Sequence, residues 1–151
     1  MKSLQEEIQQ RKWQNDQQLA LVNVLFTYHW LKERMSDALK PYKITMQQYN
    51  VLRILRGSHP EGMAAARIRE RLLDKTSDVS RLLDRLEKLN FVERQNSPED
   101  KRVTEIFLTL RGLEILGQIR SVDKLHKEHL PKVLSDEDAQ LLSALLDKMR
   151  G

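Results

Sequence analysis

Apolar residues recur at helical spacing through most of this chain, and in one place the period switches to that of a strand. Leu4, Ile8, Leu19, Val22, Leu25, Phe26 and the adjoining His29 follow near-helical spacing between residue 3 and about residue 40. That stretch holds no Gly or Pro until Pro41 ends it, so the pattern predicts one long helix. At a rise of about 1.5 Å per residue it would be roughly 55 Å long, too long for a chain of this size to cover alone. It needs a partner.

Thr45-Met-Gln-Gln48 reads as a capping box, with Tyr49, Leu52, Ile54 and Leu55 as the apolar positions of a short helix behind it. Gly57-Ser-His-Pro-Glu-Gly62 is a turn cluster. A second short helix is expected over Ala64–Leu73, with Ile68, Leu72 and Leu73 inward, and a third over Thr76–Asn90. Phe91–Arg94 and Val103–Leu108 are strand-like and flank the polar loop Gln95–Arg102, which predicts a hairpin with a projecting turn. Thr109 should cap a further helix with the stripe Leu113, Leu116, Ile119, Val122 and Leu125, ending before Pro131. Ser135-Asp-Glu-Asp138 opens a last helix with Leu141, Leu142, Leu145, Leu146 and Met149 on one side.

Three short helices followed by a hairpin is the order of a winged helix-turn-helix. The expected fold class is therefore mainly α with a small β-hairpin wing, carried between long N- and C-terminal helices that suit dimerisation. Residues 1–42 and 113–151 form the helical dimerisation region in this reading, and residues 44–110 the winged lobe.

Composition agrees with a helical domain and says little more. The chain has 151 residues, 40% hydrophobic and 32% charged, with few aromatics and little Gly or Pro. The net charge of +4 is basic but not extreme. Residues 67–102 hold ten Lys or Arg against eight Asp or Glu. Placement of charge on one face, rather than its total, must carry any case for nucleic-acid binding. The absence of Cys excludes disulfides and thiolate metal sites. An N-terminus without an apolar signal core, and no apolar run long enough for a membrane span, point to a cytoplasmic protein with no membrane role.

At about 100° per residue, Val79, Leu82, Leu83, Leu86 and Leu89 gather on one side of the helix predicted over Thr76–Asn90. Ser77, Arg81, Asp84 and Lys88 lie opposite, flanked by Ser80 and Arg85. A recognition helix needs such an inward Leu/Val and outward Ser/Arg division. Its first turn, with Thr76, Ser77, Asp78, Ser80 and Arg81, would meet base edges in the major groove, and Arg85 and Lys88 would meet phosphates. An ordinary solvated helix with Asp/Arg pairs has the same pattern. The hairpin weighs against that plainer reading. Asp100-Lys101-Arg102 at its loop offers an Arg for the minor groove, a carboxylate to hold it and a Lys for phosphate.

The segments Leu82-Leu-Asp-Arg-Leu-Glu-Lys-Leu-Asn-Phe-Val-Glu-Arg94, Asp100-Lys-Arg102 and Leu108-Thr-Leu-Arg-Gly112 resemble, in order and spacing, the MarR family of multiple-antibiotic-resistance regulators. The resemblance implies a homodimeric bacterial transcription factor that binds double-stranded DNA at a pseudo-palindromic operator, most often as a ligand-responsive repressor. By position Arg102 matches the minor-groove Arg and Asp100 its supporting carboxylate, while Ser77, Asp78 and Arg81 match the base-facing turn. It also implies a small aromatic or anionic effector between the dimerisation helices and the winged lobe, where Tyr28, His29, Trp30 and Arg34 fall; aromatics on a long helix serve dimer packing equally well. Asn90 departs from the family's usual Gly, but Asn tolerates a left-handed helix end. The lack of Cys removes the thiol-oxidation sensing of one branch.

Other chemistries find less. His126 and His129 sit three apart with Glu128 between them, but no further ligand is apparent and His59 lies in a distant turn, so no metal and no cofactor is expected. No phosphate loop, nucleophile motif or carboxylate pair suggests an enzyme. The alternative function is a winged-helix protein–protein adaptor without DNA specificity, which would have no use for an Arg-tipped wing beside a Ser/Arg helix face.

Overall fold

The computed structural model describes residues 2–96, 103–119, 122 and 124–151, with the His126 side chain left aside. Two compact units make up the chain, residues 1–46 and residues 47–151.

The first unit corrects the single long helix. A short helix α1 (Leu4–Glu7) is followed by α2 (Asp16–Leu39), with non-helical chain between them. Both ends of the break are built by side chains. Ser3 and Glu6 form a reciprocal capping box, Ser3 N–H donating to Glu6 Oε2 at 2.7 Å. Gln9 takes a left-handed conformation (φ 55°), and Asn15 then caps α2 by accepting from the Gln18 N–H at 2.8 Å. The intervening Gln9-Gln-Arg-Lys-Trp-Gln-Asn15 has one apolar side chain, so nothing there favours helix over solvated coil. A helix breaks without Gly or Pro when its apolar stripe lapses and a capping residue restarts it. After α2 a tight turn at Lys40–Tyr42 and a left-handed Lys43 end the run. Leu4, Leu39 and Ile44 are buried, while Leu21, Leu25, Phe26 and Tyr28 stand exposed along α2.

In the second unit α3 (Met46–Arg56), β1 (Met63–Ala64), α4 (Ala65–Arg71), α5 (Val79–Lys88), β2 (Val92–Asn96), β3 (Thr104–Leu108) and α6 (Leu110–Gln118) follow the winged-helix order. The sheet is antiparallel in the order β1-β3-β2, with Val92 opposite Leu108 and Asn96 opposite Thr104. The short β1, where Met63 pairs with Ile106, was not expected: it immediately follows the turn cluster and is too short to show alternation. Val51, Leu52, Leu55, Ile68, Val79, Leu83, Leu86, Val92 and Ile106 are all essentially inaccessible and form the core beneath the sheet and helices.

Helix ends in this unit also differ from expectation. The helix expected to reach Leu73 ends at Arg71, and Leu72 is extended (ψ 140°). Successive side chains of extended backbone point to opposite sides, so Leu72 is buried and Leu73 is 86% exposed, its N–H donating to Asn50 Oδ1 at 3.0 Å. The helix expected to run from Thr109 to Pro131 instead stops at Gln118. Beyond it a widened helical turn covers Leu125–His129, and α7 (Leu130–Val133) follows with Pro131 in its first turn. The backbone stays right-handed helical from Lys124 through His129 into α7, so Pro131 lies within that helical run without an N–H to donate to the turn before it. The last helix, α8 (Asp136–Arg150), starts from the expected capping box of Ser135 and Asp138. Among the described residues no helix is long and apolar enough to cross a membrane.

Candidate nucleic-acid interface

The turn between α4 and α5 is organised by Asp74. Its carboxylate accepts from the Thr76 N–H at 3.0 Å, the Thr76 hydroxyl at 2.7 Å and the Ser77 hydroxyl at 3.0 Å. These donors, the Thr76 hydroxyl foremost, hold the Asp74 carboxyl below its ordinary pKa. The helix expected from Thr76 therefore begins three residues later, at Val79. Asp, Thr and Ser clustered within four residues prefer side-chain-to-backbone turns over helix, and that signal could have moved the boundary. Thr76 and Ser77 lie in the turn with their hydroxyl protons directed to Asp74.

Asp78 is the N-cap of α5. One carboxylate oxygen accepts from the Arg81 N–H at 3.2 Å, and the other pairs with Arg81 Nε at 3.2 Å. The cap thus orients the side chain of the residue it caps, and Arg81 projects outward with its terminal nitrogens beyond that pair. Val79, Leu83 and Leu86 are buried, whereas Ser80, Arg81, Asp84, Arg85 and Lys88 are exposed. The inward face of α5 packs into the core and the cations of the outward face are left exposed.

The end of α5 joins three elements at one point. Asn90 is left-handed (φ 57°), as its side chain permits. Its N–H donates to Glu87 O at 2.8 Å and the Phe91 N–H to Leu86 O at 3.0 Å, the paired bonds of a Schellman motif, with Leu86 and Phe91 both buried. The Thr109 hydroxyl donates to Asn90 O at 2.7 Å and accepts from the Gly112 N–H at 3.0 Å, capping α6 in the same stroke. A Cβ at Gly112 would lie 2.2 Å from the Phe91 carbonyl oxygen. Leu-Thr-x-x-Gly is thereby accounted for: Thr ties the helix end to α6, and Gly lets α6 approach the backbone.

Arg94 on β2 was missed by sequence reasoning. Its Nη2 lies 2.6 Å from Asp84 Oδ1 and its Nη1 bonds Glu87 Oε2, so one guanidinium spans two acids of α5. The hairpin that begins there extends to the pair Asn96 and Thr104. Asp100, Lys101 and Arg102, expected at the wing tip, lie outside the described residues. On α2, Arg34 stacks over the Trp30 ring at 4.4 Å, and Tyr28 meets His29 edge-on at 5.6 Å. The four effector candidates form two neighbouring pairs on one helix. Among the described residues no group of three or more His, Cys, Asp or Glu is placed to hold a metal ion.

The MarR family model matches residues 44–104, from the start of α3 to the return strand. The crystal structure of a MarR transcription factor from Planctomyces limnophilus is 33% identical, covers 89% of this chain and 98% of its own, and has a TM-score of 0.66. The chain belongs to the MarR family. Among other MarR-family structures, a mutant MarR from E. coli complexed with operator DNA is 25% identical over 98% of this chain and 99% of its own, with a TM-score of 0.72. The Escherichia coli HTH-type transcriptional regulator PrsX is 24% identical over 79% of this chain and 72% of its own length. This protein is thus a MarR-family transcriptional regulator with the family's winged-helix fold, and the motif around Gly112 is the device that fastens its winged lobe together.

Proposed function

We propose that this MarR-family protein is a homodimeric, sequence-specific DNA-binding regulator, acting as a ligand-responsive repressor at a pseudo-palindromic operator. One observation carries the reading: α5 buries Val79, Leu83 and Leu86 on one face and leaves Ser80, Arg81, Arg85 and Lys88 on the other. Likeness to an E. coli MarR complexed with operator DNA and to the S. aureus MepR–DNA complex supports it. In this reading α5 enters the major groove; Ser80 and Arg81, with Thr76, Ser77 and Asp78 before them, face the bases, and Arg85 and Lys88 meet phosphates. Asp100, Lys101 and Arg102 take the wing to the adjacent minor groove. Residues 1–42 and 113–151 pair with a second copy, residues 44–110 form the reading lobe, and the exposed Leu141, Leu142, Leu145 and Met149 supply apolar surface for the pairing. An aromatic or anionic effector at Tyr28, His29, Trp30 and Arg34 shifts the balance between lobe spacings. The protein works in the cytoplasm.

Titration of duplex DNA at several salt concentrations tests the reading. Binding weakens with a log–log slope of about −0.9 per phosphate contacted. Arg81→Ala costs about 1–3 kcal/mol on a preferred site and relaxes preference there. Salt-insensitive binding, or none, would favour the protein–protein adaptor instead.

A further inference from the structure

Of the five charged side chains of α5, Arg81, Asp84 and Lys88 stand at spacings that let them pair along the helix. Asp84 stands three residues after Arg81 and four before Lys88, and Glu87 stands three after Asp84, so the two acids share a side of the helix. On an isolated helix Asp84 would pair with Arg81 or Lys88, the cations needed for DNA. In the folded lobe it does neither: Arg94 reaches across from β2 and takes both acids. The Arg94 side chain is 30% exposed, against 55% for Asp84 and 41% for Glu87, so the fork sits beneath the two carboxylates rather than beside them in solvent.

Such a bidentate arrangement uses Arg for its fixed fork. It does two things at once. Strand β2, which leads into the wing, is tied to α5 through a side chain as well as through the Leu86–Phe91 turn. Two negative charges on the exposed side of α5 are drawn toward the strand and partly cancelled. Partly exposed ion pairs add little to folding stability, so their value here has to lie elsewhere.

We propose that Arg94 is a positioning residue of the DNA interface, holding Asp84 off the cations of α5 and lowering the repulsion of the phosphate backbone by both Asp84 and Glu87. The proposal rests on the DNA-binding reading above. It names a residue that need touch no nucleotide yet sets how positive the reading face is.

The test uses the full chain and a labelled mixed-sequence duplex of about 30 base pairs, a length that spans two half-sites. Four proteins are compared by fluorescence anisotropy across a salt series: wild type, Arg94→Gln, Asp84→Asn/Glu87→Gln, and the triple variant. Arg94→Gln is expected to weaken binding about tenfold at low salt, with the defect shrinking as salt screens the freed acids. The triple variant returns to within about threefold of wild type, because the charges that Arg94 restrained are gone. Asp84→Asn/Glu87→Gln binds at least as tightly as wild type. Arg94→Gln binding like wild type would overturn the proposal. So would a defect that is indifferent to salt and not rescued in the triple variant, since that pattern belongs to a lost structural tie. If Arg94→Gln does not fold, the double variant decides alone: weaker binding than wild type contradicts the role. A wild type that binds no duplex at any salt would instead sink the DNA-binding reading itself.

Discussion

The helices α5 and α8 carry similar apolar stripes and meet opposite surroundings. In α5 the stripe Val79, Leu83 and Leu86 is sealed beneath the sheet and neighbouring helices, at no more than 2% exposure. In α8 the stripe Leu141, Leu142, Leu145 and Met149 stands 46–60% exposed. Periodicity tells which face of a helix must be covered and not what covers it. Within α5 the cover comes from the same chain, through ties that join its end to β2 and α6. For α8 we propose a second copy. A contiguous exposed apolar face on a charged chain marks an interaction surface.

The largest effect should separate the two helices directly. Leu86→Ala opens a cavity in a closed core and should cost about 2–5 kcal/mol in denaturant unfolding, whereas Leu145→Ala in an uncovered stripe should cost the monomer under about 0.5 kcal/mol. Equal costs would erase the distinction. Next, Gly112→Ala forces a methyl against the Phe91 carbonyl and should destabilise by about 1–3 kcal/mol or more, measured by thermal unfolding. A neutral result would mean that α6 can slide away from the end of α5. Leu142→Glu/Leu145→Glu should leave the fold intact by circular dichroism and shift sedimentation at micromolar concentration from dimer to monomer. An unchanged dimer would place the interface elsewhere. Thr109→Ala removes one cap and one tie and should cost about 1 kcal/mol.

The smallest effect concerns pH. The Asp74 carboxyl is held below its ordinary value by Thr76 and Ser77. Its contribution to stability is full above the unfolded-state value and fades as pH falls through the lowered folded value. The stability gap between wild type and Asp74→Asn should therefore close on acidification, and a gap that widens would contradict the turn's hydrogen bonding.

Much of the winged lobe was legible because its parts are local. Asn90 at a left-handed helix end and Thr109 as a cap follow from residue chemistry within a few positions, as does the capping box of Ser135 and Asp138 outside that lobe. The failures have non-local or competing causes. Gln9–Asn15 lacks Gly and Pro yet breaks the first helix, since caps and a lapsed stripe suffice. Thr76 and Ser77 fit a helical wheel but bond Asp74 instead. The strand Met63–Ala64 exists only by pairing with β3. Arg94 reads as an alternating strand position, and nothing nearby in sequence announces that it spans ten residues back to Asp84. The wing residues Asp100 to Arg102 are assigned from sequence alone.

The central claim is that two copies of α5 read DNA together. Selecting bound duplexes from a random-sequence pool with the full-length protein tests it most directly. An inverted repeat should be enriched, its half-site centres about 10 base pairs apart, one turn of the double helix. A pool that remains unenriched, or one that yields a single unrepeated half-site, would contradict it.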